Sequence, residues 1–109
     1  MVTLSEENYL KAIYHLGKQG KVAVSTNAIA EKIETKASSV TDMIKKLADK
    51  NLANYVKYQG VSLTNEGRLA AALVIRKHRL WEVFLVNKLN FSWEEVHEVA
   101  EQLEHVKSL

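Results

Sequence analysis

Cysteine and proline are both absent from this sequence of 109 residues. Without cysteine the chain cannot form a disulfide, bind zinc through thiolates or use a cysteine nucleophile, so any metal site must use nitrogen and oxygen ligands. Glycine is also scarce, with four residues. Because proline and glycine are the strongest interrupters of regular structure, their scarcity favours a mainly α-helical protein.

Long apolar runs are missing as well. None approaches the roughly 18 residues that a membrane span needs, and no basic segment followed by an apolar one opens the chain. We therefore expect a cytoplasmic protein with no membrane partner. The hydrophobic residues, 47% of the chain, are enough for a modest core in one small domain or in one domain and part of another.

The net charge of +2 is too small to indicate a nucleic-acid-binding protein, but its distribution is uneven. Residues 1–60 contain nine lysines against six acidic residues, whereas residues 61–109 contain six lysines and arginines against seven glutamates. The basic excess therefore lies in the first half of the chain.

Three short helices are predicted within the first 50 residues. Apolar residues recur at helical spacing in three stretches, with Tyr9, Leu10, Ile13 and Tyr14, then Ile29, Ala30 and Ile33, then Val40, Met43, Ile44 and Leu47. Residues that can cap these helices are Ser5 for the first, Ser25 or Thr26 for the second, and Ser38 or a near neighbour for the third. The tight turn expected between the second and third helices is typical of a helix-turn-helix.

A β-hairpin is predicted directly after the third helix. The stretch "LANYVKYQGVSLT" has β-branched and aromatic residues on both sides of Tyr58-Gln59-Gly60, where Gly60 supplies the turn. A helix-turn-helix followed by a hairpin is a winged helix, which we assign to residues 1–64.

The third helix and the wing offer groups that can contact DNA. Short hydroxyls near the start of the helix can bind phosphates or base edges, and the lysines can neutralise phosphate. The predicted contact residues are Lys36, Ser38, Ser39, Thr41, Asp42, Lys45 and Lys46, with Lys57 on the wing. Asp42 either accepts a hydrogen bond from cytosine N4 or points away, because the DNA backbone would repel it. The alternative is an ordinary solvated face.

Two later helices contain possible metal ligands. One, capped by Thr64, should run to about Leu89 with His78 and Glu82 on one face, at a spacing that lets two side chains share an ion. In the second, "HEVAEQLEH" places His97, Glu101, Glu104 and His105 on one face and Val96, Val99, Ala100 and Leu103 on another arc. A helical hairpin would bring the two polar faces together. Otherwise the same residues form surface pairs on solvated helices.

The segments "ENYLKAIYHL", "SSVTDMIKKL", "LTNEGRLAA", "RKHRLWEVFL" and "VHEVAEQLEHV" together resemble the diphtheria toxin repressor and manganese transport regulator family of metal-dependent transcriptional repressors. The resemblance covers nearly the whole chain. It implies a winged-helix domain in residues 1–64 and, in residues 65–109, a truncated helical domain that binds metal and dimerises. It also implies that metal-loaded homodimers bind palindromic double-stranded operators and control metal uptake genes.

Metal ligands can be carried over from the resemblance residue by residue. Three residues match the family's ancillary metal position, namely His78, Glu82 and His97. Four others match its primary position, namely Asn8, Glu101, Glu104 and His105. Glu101 stands where iron-type members have cysteine and manganese-type members have glutamate. A hard oxygen there suits Mn²⁺ better than a soft sulfur would, so we expect Mn²⁺ as the bound cation. Fe²⁺ is the alternative, and we expect Zn²⁺ to bind in vitro.

Two departures from the family pattern lie in the first helix. Asn8 occupies a position where the family has Asp or Met, and Lys11 one where the manganese branch has a second glutamate. A neutral amide is a weaker ligand and an ammonium repels a cation, so either the first helix is loosely tethered or the site holds one ion where relatives hold two. The family also continues beyond the point where this chain ends, so we expect a fragment of a longer protein.

The expected mechanism is metal-gated geometry. A metal ion bound by position 8 and by Glu101, Glu104 and His105 would fix the two DNA-binding domains of a dimer relative to each other. Their recognition helices would then lie about one DNA turn apart, roughly 34 to 36 Å. Two other classes remain open. A winged helix acting only in protein interactions would need no metal, and a small metalloenzyme would need a nucleophile or general base beside an open coordination position, which we do not find. We expect no enzyme activity and no small organic substrate.

Overall fold

The computed structural model describes residues 2–56, 58–89 and 92–106, with Leu89 and Trp93 described by their backbone alone. The elements in chain order are α1 (Leu4–Leu16), α2 (Thr26–Ile33), α3 (Ala37–Asp49), β1 (Ala53–Val56), β2 (Gly60–Leu63), α4 (Asn65–Leu89) and α5 (Trp93–Leu103). The predicted mainly helical fold with a hairpin after a helix-turn-helix is confirmed. The chain divides into two compact units, Met1–Ala72 and Leu73–Leu109. The functional division predicted between residues 64 and 65 stays a prediction.

The first unit has a core made by α1, α2, α3 and the hairpin. Its largest fully buried apolar side chains come from the predicted stripes and from β2, and they are Leu10, Ile13, Ile29, Val40, Leu47 and Val61. Complete burial of one such side chain stabilises the fold by about 1.5–3 kcal/mol. The exposed face of α3 is therefore held on a packed base.

The turn between α2 and α3 is as short as the sequence predicts. The Oγ atom of Ser25 caps α2 by accepting a hydrogen bond from the Ala28 amide, 3.1 Å away. The helix ends at Glu34, whose φ of 62° and ψ of 52° are left-handed. Lys36 then precedes the first residue of α3. A left-handed residue at this point reverses the chain direction within three residues, which completes the helix-turn-helix.

The predicted cap of α1 is wrong, and α3 lacks the side-chain cap that was expected from Ser38 or a near neighbour. Thr3, and not Ser5, caps α1, because Glu6 lies three residues after Thr3 and their side chains and amides form a reciprocal capping box. At the start of α3, Ser38 lies inside the first turn and Lys36 takes the cap position. Among the described residues no side chain accepts a capping hydrogen bond there, so amides in that turn have no side-chain cap.

The wing is a two-stranded antiparallel hairpin in which Ala53 pairs with Leu63 and Val56 with Gly60. A further bridge, which the sequence did not predict, joins Val24 to Val61 through two backbone hydrogen bonds of 2.8 Å. Gly60 has a φ of 122°, and a Cβ atom there would lie 1.9 Å from the Val24 carbonyl oxygen. Glycine is therefore required at this position by the close approach of Val24 as well as by the turn.

The second unit contains the later part of α4 packed against α5, with Leu85, Val96 and Ala100 buried in one apolar cluster. Ser92 begins α5 through a capping box with Glu95, and its hydrogen bonds hold the pKa of the Glu95 carboxyl below the ordinary value. The predicted helical segment extends too far, because α5 ends at Leu103 and Glu104 and His105 follow its last turn. In the described part of the chain, no helix is both long enough and apolar enough to cross a membrane.

Candidate metal centre and nucleic-acid interface

His78, Glu82 and His97 form a cluster of possible metal ligands in the second unit. One nitrogen or oxygen atom from each residue lies within 4.8 Å of the others. The Oε2 atom of Glu82 is 3.5 Å from His78 Nε2 and 3.6 Å from His97 Nδ1. The Glu82 carboxylate is therefore close to an imidazole from its own helix and to one from α5.

Packing of α4 against α5 explains why these residues meet. Val96, the neighbour of His97, is fully buried against Leu85, which lies one turn from Glu82. With the helices fixed by this apolar cluster, the His78 and His97 ring centres are 4.8 Å apart. The sequence predicted that a helical hairpin would bring the two polar faces together, and this juxtaposition is confirmed.

Glu104 extends the cluster on the other side of His78. Its carboxylate is completely buried, with Oε2 2.7 Å from His78 Nδ1 and Oε1 3.1 Å from His105 Nε2. A buried carboxylate needs such partners, because burial without them would carry a large desolvation penalty. His78 thus has Glu82 at one ring nitrogen and Glu104 at the other.

Glu101 lies at the exposed end of the cluster. Its Oε2 atom is 3.7 Å from His97 Nε2, at the i, i+4 spacing of one helix face. The six side chains therefore form a continuous series of close imidazole and carboxylate contacts, in the order Glu101, His97, Glu82, His78, Glu104 and His105.

The donor chemistry of His78, Glu82 and His97 fits a divalent cation. Imidazole nitrogen and carboxylate oxygen are ligands that first-row transition metals accept. Ligand atoms about 2.1 Å from one ion lie no more than roughly 4.2 Å apart. The 3.5 and 3.6 Å separations satisfy this limit, and small side-chain rotations bring any pair near the 4.8 Å bound within it.

The predicted DNA-binding residues of α3 lie on its exposed face. All seven residues predicted on this helix and at its preceding cap have exposed side chains, namely Lys36, Ser38, Ser39, Thr41, Asp42, Lys45 and Lys46. The hydroxyl of Thr41 donates to the Ala37 carbonyl at 3.1 Å, which leaves its oxygen able to accept another hydrogen bond. Lys57 lies outside the described residues.

A cleft of about 480 Å³ runs along α3 beside the hairpin. Thr41 and Lys45 line it together with two residues that sequence reasoning missed, Thr26 on α2 and Tyr55 on β1. Tyr55 is 60% exposed although it is a large aromatic residue. Strand alternation gives no signal for this exposure, because Ala53 lies two residues earlier on the same face of the strand and is buried.

The opposite end of α3 is tied to the first turn of α1. Lys50 donates from Nζ to the nearly buried Glu6 carboxylate, at 2.7 Å from Oε1. Burial acts to raise the pKa of Glu6, but hydrogen bonds from Lys50 and Thr3 outweigh it and hold the pKa below 4.5. Glu6 is therefore a charged group built into the first unit.

Both halves of the chain match domains of one protein family. Residues 1–61 match the N-terminal DNA-binding domain of the iron-dependent repressors, and residues 64–109 match their metal-binding and dimerisation domain. The chain belongs to the iron-dependent repressor family. This confirms the family resemblance found in the sequence, and the winged helix is the fold expected of such a repressor.

Individual relatives of this repressor-family chain are iron and manganese regulators. It is 36% identical over 102 residues to the iron-dependent repressor IdeR of Mycobacterium leprae, covering 94% of this chain and 44% of the relative. Identity to the transcriptional regulator MntR of Oceanobacillus iheyensis is 34% over 105 residues, covering 96% and 70%. The solved structure of the manganese regulator SloR aligns with a TM-score of 0.77 and 45% identity, covering 94% and 47%. The chain therefore spans less than half the length of IdeR and SloR.

The ligand assignments remain predictions for this member of the iron-dependent repressor family. The structure brings His78, Glu82 and His97 together and places Glu104 and His105 beside them. Asn8 lies half-buried on α1, in the first unit. Its membership of a site with Glu101, Glu104 and His105, and the effect of Lys11 on that site, stay predictions.

Proposed function

We propose that this chain is the DNA-binding and metal-sensing part of a transcriptional repressor that is active when it holds a divalent cation. The observation that carries the proposal is the cluster of His78, Glu82 and His97 in a chain whose family combines a DNA-binding domain with a metal-binding one. The exposed hydroxyls and lysines of α3 support the DNA-binding half of the proposal.

Mn²⁺ is the proposed cation, with Fe²⁺ as the alternative. His78, Glu82 and His97 would hold one ion, and Glu101, Glu104 and His105, with Asn8 if it is a ligand, would contribute to a second position. When bound, the cation supplies positive charge that offsets the carboxylates and joins α4 to α5. The absence of thiolate ligands in a chain without cysteine favours the harder Mn²⁺. Relatives include both an iron-dependent repressor and a manganese regulator, so both ions are to be tested.

The proposed DNA contact is the exposed face of α3 lying in the major groove. Lys36, Lys45 and Lys46 would neutralise phosphates, and the hydroxyls of Ser38, Ser39 and Thr41 would bind phosphates or base edges. Asp42, if it faces the bases, would accept a hydrogen bond from cytosine N4. The wing, through Lys57, would add a backbone contact. Two copies bound to a palindrome would place their α3 helices about one DNA turn apart, roughly 34 to 36 Å.

A homodimer is the proposed assembly, and the apolar surface of α4 supports it. Leu80, Val83 and Phe84 are all exposed on the second unit, and Leu80 and Phe84 line a cleft of about 330 Å³ with Trp81. Such a run of large apolar side chains is expected at an interface. Phe84→Glu should shift the chain to monomer in analytical ultracentrifugation. The matched change Leu69→Glu, at a residue that is 62% exposed nearer the start of α4, should leave the association constant within about twofold.

The experiment that tests the proposed function is selection of duplexes from a palindromic library, followed by affinity measurements with Mn²⁺, Fe²⁺, Zn²⁺ or a chelator. We expect the selected sites to bind at least tenfold more tightly with Mn²⁺ or Fe²⁺ than with chelator. Equal affinity in chelator and in every metal would overturn metal gating. Equal affinity for the selected duplex and a simple polyanion, with and without metal, would point instead to a protein-interaction module.

A further inference from the structure

The ion pair between Glu6 and Lys50 joins two elements that are 44 residues apart in sequence. Glu6 is in the first turn of α1, and Lys50 is the residue that ends α3. The Lys50 Nζ atom lies 2.7 Å from Glu6 Oε1, a normal length for a charge-assisted hydrogen bond. The side chain of Glu6 is only 3% exposed, whereas that of Lys50 is 38% exposed. The carboxylate is thus the fixed partner and the lysine reaches to it.

The capping box of α1 fixes the position of the Glu6 carboxylate. The Thr3 amide donates to the same Oε1 atom at 2.8 Å, and the Glu6 amide donates back to Thr3 Oγ1 at 3.2 Å. These two bonds hold Glu6 in the one orientation that faces Lys50. A side chain held in this way loses little further conformational freedom when it accepts the bond from Lys50.

A directional bond at the end of α3 can restrain the helix in a way that its apolar packing does not. Its buried stripe of Val40, Ile44 and Leu47 fixes which face of the helix is inward, but apolar contacts are not directional. A 13-residue helix is about 20 Å long, so a small tilt about its packed middle moves the exposed residues at its start. The directional bond at Lys50 limits that tilt.

We propose that Glu6 is a positioning residue for DNA recognition: by holding Lys50, it sets the tilt of α3 and therefore the positions of Ser39 and Thr41. The inference rests on the proposed DNA-binding function and adds to it a residue that does not touch DNA. The Glu6–Lys50 bond also connects α1 directly to α3, the helix proposed to bind DNA, within the first unit.

The test is a double-mutant cycle on the selected palindromic duplex, with Glu6→Gln, Lys50→Gln and the two combined. All variants are measured with saturating Mn²⁺ and at a temperature where circular dichroism shows each to be folded. Glu6→Gln keeps the side-chain shape and an oxygen for the cap. Glu66→Gln is the matched control, because this exposed glutamate bonds to Asn51 next to the same end of α3.

We expect Glu6→Gln to weaken DNA binding about tenfold. The double variant should bind DNA no more weakly than the single variant with the lower affinity, because each change breaks the same Glu6–Lys50 bond. The slope of log affinity against log salt should not change in Glu6→Gln, because no phosphate contact is lost. The manganese affinity of Glu6→Gln in the absence of DNA should match that of the parent. The DNA affinity of Glu66→Gln should also match that of the parent.

Parent-like DNA affinity in folded Glu6→Gln would overturn the inference while leaving the proposed function intact. So would strictly additive effects together with a salt slope that falls by about one in Lys50→Gln, since Lys50 would then be a phosphate contact. A parent that fails to bind any selected duplex would overturn the proposed function and the inference together.

Discussion

His78 on α4 and His97 on α5 have ring centres 4.8 Å apart, and the Glu82 carboxylate lies close to both rings. The relationship depends on the apolar packing of Leu85 against Val96, which holds the two helices at a fixed separation. Two imidazoles near one carboxylate concentrate ligand atoms at a single point.

Glu82→Gln should weaken Mn²⁺ binding at least tenfold. The amide keeps the shape of the side chain but removes the negative charge that a hard cation prefers, and changes at groups that only support ligands already weaken binding 10- to 100-fold. Glu98→Gln is the matched control, because this exposed α5 glutamate lies outside the cluster. Isothermal titration calorimetry compares the two. Equal manganese affinity in Glu82→Gln and Glu98→Gln would remove Glu82 from the ligand set.

Tyr55→Ala should weaken binding to the selected duplex several-fold, and Tyr55→Phe should separate the role of the ring from that of the hydroxyl. Tyr55 lines the cleft beside Thr41 and Lys45 on the face proposed to meet DNA. If the hydroxyl bonds to a phosphate, Tyr55→Phe should lose most of the affinity that Tyr55→Ala loses. If the ring packs against the sugar or a base, the Tyr55→Phe variant should bind the duplex like the parent. Fluorescence anisotropy gives the affinities. Parent-like binding by Tyr55→Ala would exclude this residue from the interface.

Glu34→Gly should stabilise the first unit by about 1 kcal/mol. Glu34 ends α2 with a φ of 62°, a left-handed conformation that glycine adopts without the steric penalty of a Cβ atom. Glu31→Gly is the control within α2, where glycine should instead destabilise by about 1 kcal/mol. Urea denaturation measures both. A loss of stability in Glu34→Gly would mean that the turn between α2 and α3 is held differently.

The stability of the parent should fall more steeply than that of a His15→Gln variant as the pH drops below about 6.5. Burial, Lys32 and Lys11 lower the pKa of His15 below the ordinary value of 6.5. The folded state therefore binds this proton less tightly than the unfolded state does, so stability is full above about pH 6.5 and falls as pH drops through the lowered pKa. Urea unfolding of both proteins between pH 8 and 5 checks this. A stability difference that stays constant with pH would contradict it.

Local patterns in the sequence were enough for most of the fold. The stripes of α1, α2 and α3 and the cap at Ser25 follow from helical spacing and from the capping preference of serine. The Thr3 cap was also readable, since Glu6 stands three residues later as a capping box requires. The Val24–Val61 bridge was not readable, because it joins distant residues by backbone bonds that leave no side-chain pattern.

The candidate site divides in the same way. The His78 and Glu82 pair is a consequence of helix geometry, so spacing alone predicts it. The complete burial of Glu104 is different: its position suggested a polar face, yet His78 and His105 enclose it. Enclosure depends on how α4 and α5 pack, which periodicity does not specify. The assignment of Asn8 depends on contacts still farther apart in sequence and stays a prediction.

The most direct test of the account measures manganese binding by calorimetry with and without the selected duplex, and duplex binding with and without manganese. If the cation and DNA act through one equilibrium, linkage requires the duplex to raise manganese affinity by the same factor by which manganese raises duplex affinity. We predict equal factors of at least tenfold in the parent and factors near one in Glu82→Gln. Manganese that binds equally tightly with and without the duplex would contradict metal-gated DNA binding.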